Sequence, residues 1–348
     1  MIQTFSSTIR RKEMDAVLTC MVDEKLGPGE LNSKLIQTVK EFIGCDGAVA
    51  LRSPAIALGY VLKALDLPQG SKVMISALAP SWQYTAVKNL GFSPLVLDVD
   101  ENTGLVLLDS VESGIKDGGR LLLLHETMGI LPEIEKFLSF GIPVIEDISH
   151  SAGSSYPLKE GKSVSVKAGM MGLYSILGLE ETDTITAGGG AVLIAPKRRE
   201  WIVLKKLTDA APETDILTDM NSALGFIQMK EFARNEQARK ALFAIFQKSL
   251  MSGKNKTFVR APDEGSTIWC FPVVLDGSFK DAKQYASRKE IEIRPAYEKS
   301  VISLLDDEQK SYFIHAKSLY LRCVLFPLYP RLGSESATKI AKVLGTLP

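Results

Sequence analysis

The chain reads as an α/β protein: a three-layer α/β/α large domain around a mostly parallel sheet, followed by a small C-terminal α+β domain. Three observations predict this. Short, nearly continuous apolar runs alternate with helical periodicity between residues 49 and 146, as expected for parallel strands buried on both faces. Beyond Gly188 that alternation gives way to long helices and then a compact mixture of strand and helix. A hydrophobic share of 45% in 348 residues suits one large globular unit with a smaller partner.

The elements follow in order. Residues 11–43 have helical periodicity broken at Gly27-Pro28-Gly29, and Leu31, Leu35, Ile36, Val39, Phe42 and Ile43 share one helical face. Val49–Leu51 reads as a strand, Ala55–Leu65 as a helix, Lys72–Ile75 as a strand and Ser81–Leu90 as a helix. Leu95–Val99 and Leu121–Leu124 are further strands, Glu133–Phe140 a helix, and Pro143–Glu146 a strand. Ala191–Ile194 is a strand, and residues 198–208 and 219–250 are helical. The last segments are a strand at Ile268–Leu275, a helix at Phe279–Lys289, a short strand at Ile291–Ile293 and a helix from Ser334. The domain boundary falls between 235 and 255, giving a large domain over 1–240 with an N-terminal helical arm, and a small domain over 241–348.

Composition excludes several function classes. Lysine plus arginine and aspartate plus glutamate both total 41, so no net charge draws the chain to nucleic acid or an anionic membrane. The N-terminus lacks an apolar signal core, and no apolar run spans a bilayer, so a cytoplasmic protein is expected. Cys20, Cys45, Cys270 and Cys323 are too scattered for a metal site or a disulfide framework.

The first chemical constellation is Val144-Ile145-Glu146-Asp147-Ile148-Ser149-His150-Ser151. An acid at the carboxyl end of a buried parallel strand lies where α/β sheets place ligands. On its own this run equally suits a turn-capping aspartate and a satisfied core histidine. Gly188-Gly189-Gly190 lacks the spacing of a nucleotide loop and reads as a turn. His125 ends an apolar strand and reads as structural. The most unusual feature is a gap: between Lys167 and Lys197 there is no lysine or arginine.

Several segments in a fixed order resemble the DegT/DnrJ/StrS family of sugar aminotransferases. Gly70–Ile75 and Gly91–Asp100 are similar to its "GDEVI" and "GA-x-P-V-x-x-D-x-D" segments, and Gly141–Asp147 to its "gip-v-IED" strand. Leu217–Gln228 resembles its "m-t-d-i-q-A-A-l-G-l-x-Q" helix, and Leu325–Pro330 its closing "l-s-L-P-l-y-P". The resemblance implies the type I pyridoxal-phosphate transferase fold, a homodimer with shared active sites, and a nucleotide-sugar or small anionic ligand.

It also implies a cofactor site. Asp147 falls on the pyridine-nitrogen aspartate, His150 on the Gln or His against the ring, and Ser175 on a phosphate-holding serine. The phosphate-binding Gly-Thr corresponds to Ser53-Pro54, beside Ala55, with Arg52 near enough to add charge. The ring-stacking aromatic corresponds to Pro80, with Trp82 two residues on, and the partner-subunit asparagine to Thr214. Arg294 follows the cap strand where substrate approaches. The Schiff-base lysine corresponds to Glu180 counted from Ser175, or to Thr182 counted back from the glycines, and neither is an amine. Two functions are therefore expected of this chain. One is a homologue degraded for Schiff-base chemistry that binds pyridoxal phosphate or another ligand noncovalently. The alternative is an active aminotransferase on a keto-sugar nucleotide in polysaccharide or amino-sugar biosynthesis.

Overall fold

The computed structural model describes residues 1–156, 165–260 and 265–348. A seven-stranded sheet is built from β1 (Gly47–Leu51), β2 (Lys72–Ser76), β3 (Ser93–Leu97), β4 (Gly119–His125) and β5 (Val144–Asp147). A two-residue pair, β6 (Ser155–Tyr156) and β7 (Val166–Lys167), intervenes before β8 (Tyr174–Gly178) and β9 (Ala191–Ala195) complete that sheet. The order is β1-β9-β8-β5-β4-β2-β3. The pairings from β8 through β5, β4 and β2 to β3 are parallel, while β9 runs antiparallel to both its neighbours.

Helices cover both faces, because each strand is apolar on both sides. Pro54–Ala64, Ser81–Asn89 and Arg198–Thr208 pack on one face around Leu58, Val61, Ile75, Leu123 and Ile176. Glu30–Ile43 and Asp219–Lys230 cover part of the other, around Leu35, Val39, Leu177 and Ile194. Asp219 accepts from Leu31 and Asn32 N–H at the start of the Glu30–Ile43 helix, so its carboxylate caps that helix from a distance. Any side chain on Gly29 would strike that carboxylate.

A second, antiparallel sheet of order β10-β12-β11 comprises β10 (Phe271–Val274), β11 (Arg294–Pro295) and β12 (Cys323–Phe326), packed with Phe279–Arg288 and Ser334–Leu344. Among the described residues no helix is long and apolar enough to cross a membrane.

Several sequence boundaries shift. The helix expected over 219–250 is broken at Glu231, whose φ of −87° and ψ of 1° leave the helical region. The strand expected at Leu95–Val99 ends at Leu97, since Val99 turns aside to bridge Val106. The strand expected from Ile268 begins at Phe271, because Thr267 and Ile268 give their N–H groups to Ser154 Oγ and Glu236 Oε1 instead of a ladder. Ile291 only bridges Ile2, and pairing starts at Arg294. Gly188, Gly189 and Gly190 have φ of 72°, 136° and 112°, so the triplet is a tight turn that other residues would strain.

Candidate ligand site

The carboxyl ends of β2, β4 and β5 open onto a cavity of 420 Å³ closed on its far side by the C-terminal sheet. Here, between the parallel strands β2 and β4, the order in which successive strands are added to the sheet reverses, which is where open α/β sheets hold ligands. Its walls include Pro80, Trp82, His125, Thr127, Ser149, His150, the loop Glu180–Asp183, Trp269 and the segment Arg294–Ser300.

Asp147 is fully buried directly behind the lining residues His125 and Ser149. It pairs in register with His125 and Ile176, so its side chain shares their face of the sheet. Oδ2 accepts from Gln83 Nε2 at 2.7 Å and lies 3.0 Å from His125 Nδ1. Oδ1 accepts from Ser149 N at 3.2 Å and Ser149 Oγ at 2.5 Å. Burial by itself would raise this carboxyl, but His125 and the Ser149 hydroxyl outweigh it and hold the group down at about 2. An ionised carboxylate offers about four accepting positions, and here the chain itself fills four. Ser149 Oγ also accepts from Gly178 N at 2.9 Å, so the same hydroxyl fastens the end of β8 to the acid.

His150 stacks on Trp269 with ring centroids 3.6 Å apart and planes 11° from parallel. Trp269 in turn donates its indole N–H to the Thr182 carbonyl at 2.6 Å. Burial first, and His125 second, push His150 well below the ordinary imidazole range, so it is neutral. Its Nδ1 is buried without a partner among the described residues, as are Thr127 Oγ1 and Tyr297 Oη, the latter packed against Gly104. Asp183 accepts from Glu180 N at 2.8 Å. Burial, helped by the charges of Asp147 and Glu180, pushes its carboxyl up to about 8 against the pull of that backbone bond. A side chain at Gly178 would collide with the Asp183 carboxyl and the Ser149 hydroxyl, which explains the glycine there.

The structure gathers His150, Pro80, Thr182, Glu180 and Arg294 around this cavity, with Trp82 near Pro80 and Asp147 behind the lining residues His125 and Ser149. It places other expected residues elsewhere. Ser175 pairs with Glu146, not Asp147, so it faces the opposite side of the sheet and donates to the Gly169 carbonyl at 2.9 Å. Its assignment to a phosphate alongside Asp147 is corrected by strand parity. Ser53 Oγ accepts from Ile56 N and caps its own helix, Pro54 alone of that turn reaches the cavity, and Ala55 is half-buried beside it. Arg52 turns Nε to the Ile216 carbonyl. Thr214 lies exposed in a turn bound to Arg52 N and Tyr60 Oη through Asp215. Arg294 pairs with Glu292 at 3.0 Å.

Gln83, Trp269, Asp183, Tyr297 and Lys299 were not legible as site residues. Gln83 carried one faint signal, an amide among apolar helix positions, and its burial is complete. His125, read as structural, is a direct partner of Asp147.

The pyridoxal phosphate that the resemblance implies needs a free acceptor for its ring nitrogen, donors for its phosphate and an amine for its aldehyde. Asp147 has its accepting positions filled, Pro54 has no N–H, Ser53 Oγ is committed, and no lysine occurs between Lys167 and Lys197. The residues as placed do not fit that cofactor.

Comparison with known proteins gives the lineage. Residues 7–345 match the DegT/DnrJ/EryC1/StrS aminotransferase family. Spr1654 from Streptococcus pneumoniae in its PLP form superposes with a TM-score of 0.85 at 16% identity, covering 97% of this chain and 96% of that one. DesV of S. venezuelae, in complex with a ketimine intermediate, gives 0.83 at 17% identity, with coverage of 96% and 93%. The E. coli GDP-4-keto-6-deoxy-D-mannose-3-dehydratase with bound hydrated PLP gives 0.83 at 17%, with coverage of 99% and 99%. At these identities the structural likeness is one of fold.

Proposed function

We propose that this chain, which belongs to the DegT/DnrJ/EryC1/StrS aminotransferase family, does not transaminate and uses the family's cavity to bind a ligand noncovalently. One observation carries the reading. The loop that faces Asp147 and His150 presents Glu180, Glu181, Thr182 and Asp183, with the Thr182 carbonyl taken by Trp269. Schiff-base chemistry needs a primary amine held against the reacting carbon, and this loop supplies carboxylates instead. The filled accepting positions of Asp147 support the same conclusion from the opposite wall.

A second reading has one observation in its favour. Lys299 lines the cavity from the segment that bridges Pro80, and it is the one lysine among the described lining residues. Under that reading the chain is an aminotransferase on a keto-sugar nucleotide, with Lys299 as its amine.

Incubation with pyridoxal phosphate, borohydride reduction and peptide mapping separates the two. The first reading expects no reducible visible band and complete loss of added cofactor on dialysis. A cofactor fixed to the peptide carrying Lys299, or to any other lysine, refutes it.

A further inference from the structure

Residues 2–10 run as a strap from the second sheet to the helices that cover the first. At one end Ile2 bridges Ile291, just ahead of β11, giving its N–H to the Glu290 carbonyl at 2.7 Å and accepting from Glu292 N at 2.9 Å. Thr4 then donates its N–H to Glu292 Oε2 at 2.9 Å and its hydroxyl to the Glu292 carbonyl at 3.0 Å. At the other end Arg331 donates to the Ile9 carbonyl at 2.6 Å, and the Arg10 guanidinium reaches Asn235 Oδ1 at 2.8 Å. The helix Arg11–Val22 that follows is fastened by Lys12 to Glu231 at 2.6 Å and by Glu13, which accepts from Gln228 at 3.1 Å.

The middle of the strap is built differently. Phe5–Thr8 make no backbone hydrogen bond to any described residue outside the strap. Thr8 instead folds back on Ser6, its N–H to Oγ and its hydroxyl to the carbonyl, each at 3.3 Å. Its φ of 56° lies in the left-handed region, which a β-branched residue rarely enters and holds only while its surroundings impose it. Thr4 and Phe5 line the 420 Å³ cavity, and Phe5–Thr8 line a smaller chamber of 30 Å³ beside it. Phe5, Asp183, Trp269 and Leu328 line both spaces and so form the partition between them.

Glu292 ties this strap to the cavity wall. One carboxylate oxygen accepts from Thr4 N, and the other from Arg294 Nε and Nη2 at 3.1 and 3.0 Å. The Thr4 amide is the foremost influence holding that carboxyl below its ordinary range, ahead of Arg294.

We propose that residues 4–8 are a lid on the cavity, latched at Glu292. When the Thr4–Glu292 bonds open, the lid lifts, Phe5 leaves the partition, and cavity and chamber join as one space open to solvent. A lid needs anchored ends and a middle free of backbone bonds, and the strap has both. Relief of Thr8 favours the lifted state, and the two Thr4 bonds oppose it. The lid governs access to the cavity and does not depend on what the cavity holds, so borohydride fixation of a cofactor to a lysine would leave it standing.

The test uses the full chain, with hydrogen exchange read by mass spectrometry and acrylamide quenching of Trp269 in a W82F/W201F background. E292A removes the acceptor of the Thr4 amide, and T4P removes the amide donor itself. Each should raise exchange in peptides covering 4–9 and 180–186 at least tenfold and quenching of Trp269 at least threefold, with β2 and β4 unchanged within twofold. R294A leaves the Thr4 acceptor in place and should leave all of these within twofold of wild type. Unchanged exchange at 180–186 or unchanged quenching in either latch variant overturns the proposal. A rise that spreads equally to β2 and β4 overturns it too, because that is loss of the fold and not the lifting of a lid. An effect of R294A equal to that of E292A overturns the latch at Glu292.

Discussion

Glu126 and Glu146 are buried neighbours, and burial raises both carboxyls, Glu126 by far the more. Glu146 Oε1 accepts from Met171 N at 2.9 Å and Gly172 N at 2.6 Å, and its Oε2 from Gly169 N at 3.0 Å. Glu126 has no backbone donor among the described residues; Tyr156 Oη donates to it at 2.9 Å and Ser151 Oγ bonds its other oxygen. Burial, and next the charge of Glu146, raise Glu126 well above the carboxyl range, so it carries the proton. Burial raises Glu146 too, but the amides of Gly172 and Gly169 oppose the rise and favour its charged form.

Glu126→Gln therefore mimics the native protonation state, while Glu146→Gln turns an NH₂ toward backbone N–H groups. Hydrogen bonds to a charged group contribute about 1.5–3 kcal/mol each, and breaking a buried charged constellation typically costs about 3–5 kcal/mol. Taking that range for Glu146→Gln, the melting temperature of a 348-residue chain should fall by roughly 4–7 °C. Glu126→Gln should change stability at neutral pH by less than about 1 kcal/mol, or raise it. The raised native value means that the native state keeps a proton the unfolded chain releases. Wild type should thus lose ground to Glu126→Gln as pH rises above the ordinary carboxyl range. Urea unfolding followed by circular dichroism, with calorimetry at several pH values, reads both variants. Equal damage from the two substitutions, or greater damage at Glu126, would refute the assignment of the proton.

Two other outcomes follow from the site. Asp183, pushed up to about 8, holds a proton in the folded state that the unfolded chain loses near its ordinary value of 3.8. Its stabilising contribution is lost as pH rises through 8, so the melting temperature of wild type should fall relative to Asp183→Asn between pH 5 and 8. Parallel melting curves across that window would remove Asp183 from the account. Asp147, held at about 2, stabilises the fold above its ordinary 3.8 and loses that contribution as pH falls through 2. Removing the hydrogen-bonding partner of its Oδ2 with His125→Leu should destabilise the fold by about 1–3 kcal/mol and move the acid-unfolding midpoint upward. An unchanged midpoint would show that Ser149 and Gln83 suffice.

The sheet was legible because its strands are apolar on both faces and recur between helical segments; Lys72–Ile75, Leu121–Leu124 and Ala191–Ile194 all lie inside observed strands. Asp147 and His150 were legible because a strand end and the following turn are local features. Ser175 was misread because facing depends on register. A residue opposite Glu146 points away from Asp147, and nothing within the segment reveals that pairing. Glu231 interrupts a helix whose apolar pattern continues through it, so periodicity alone joined two helices into one.

Sequence alone determined the lineage, the layered fold, the acid at the end of β5 and the absence of an amine between Lys167 and Lys197. Those are properties of short segments and of their order. Only the tertiary structure decided what surrounds that acid. Gln83 reaches Asp147 across 64 positions and Trp269 reaches Thr182 across 87, and such meetings depend on how helices and the second sheet pack over the strand ends. Packing therefore filled the accepting positions of Asp147, left the hydroxyls of Thr127 and Tyr297 without a partner among the described residues, and set carboxylates around the cavity.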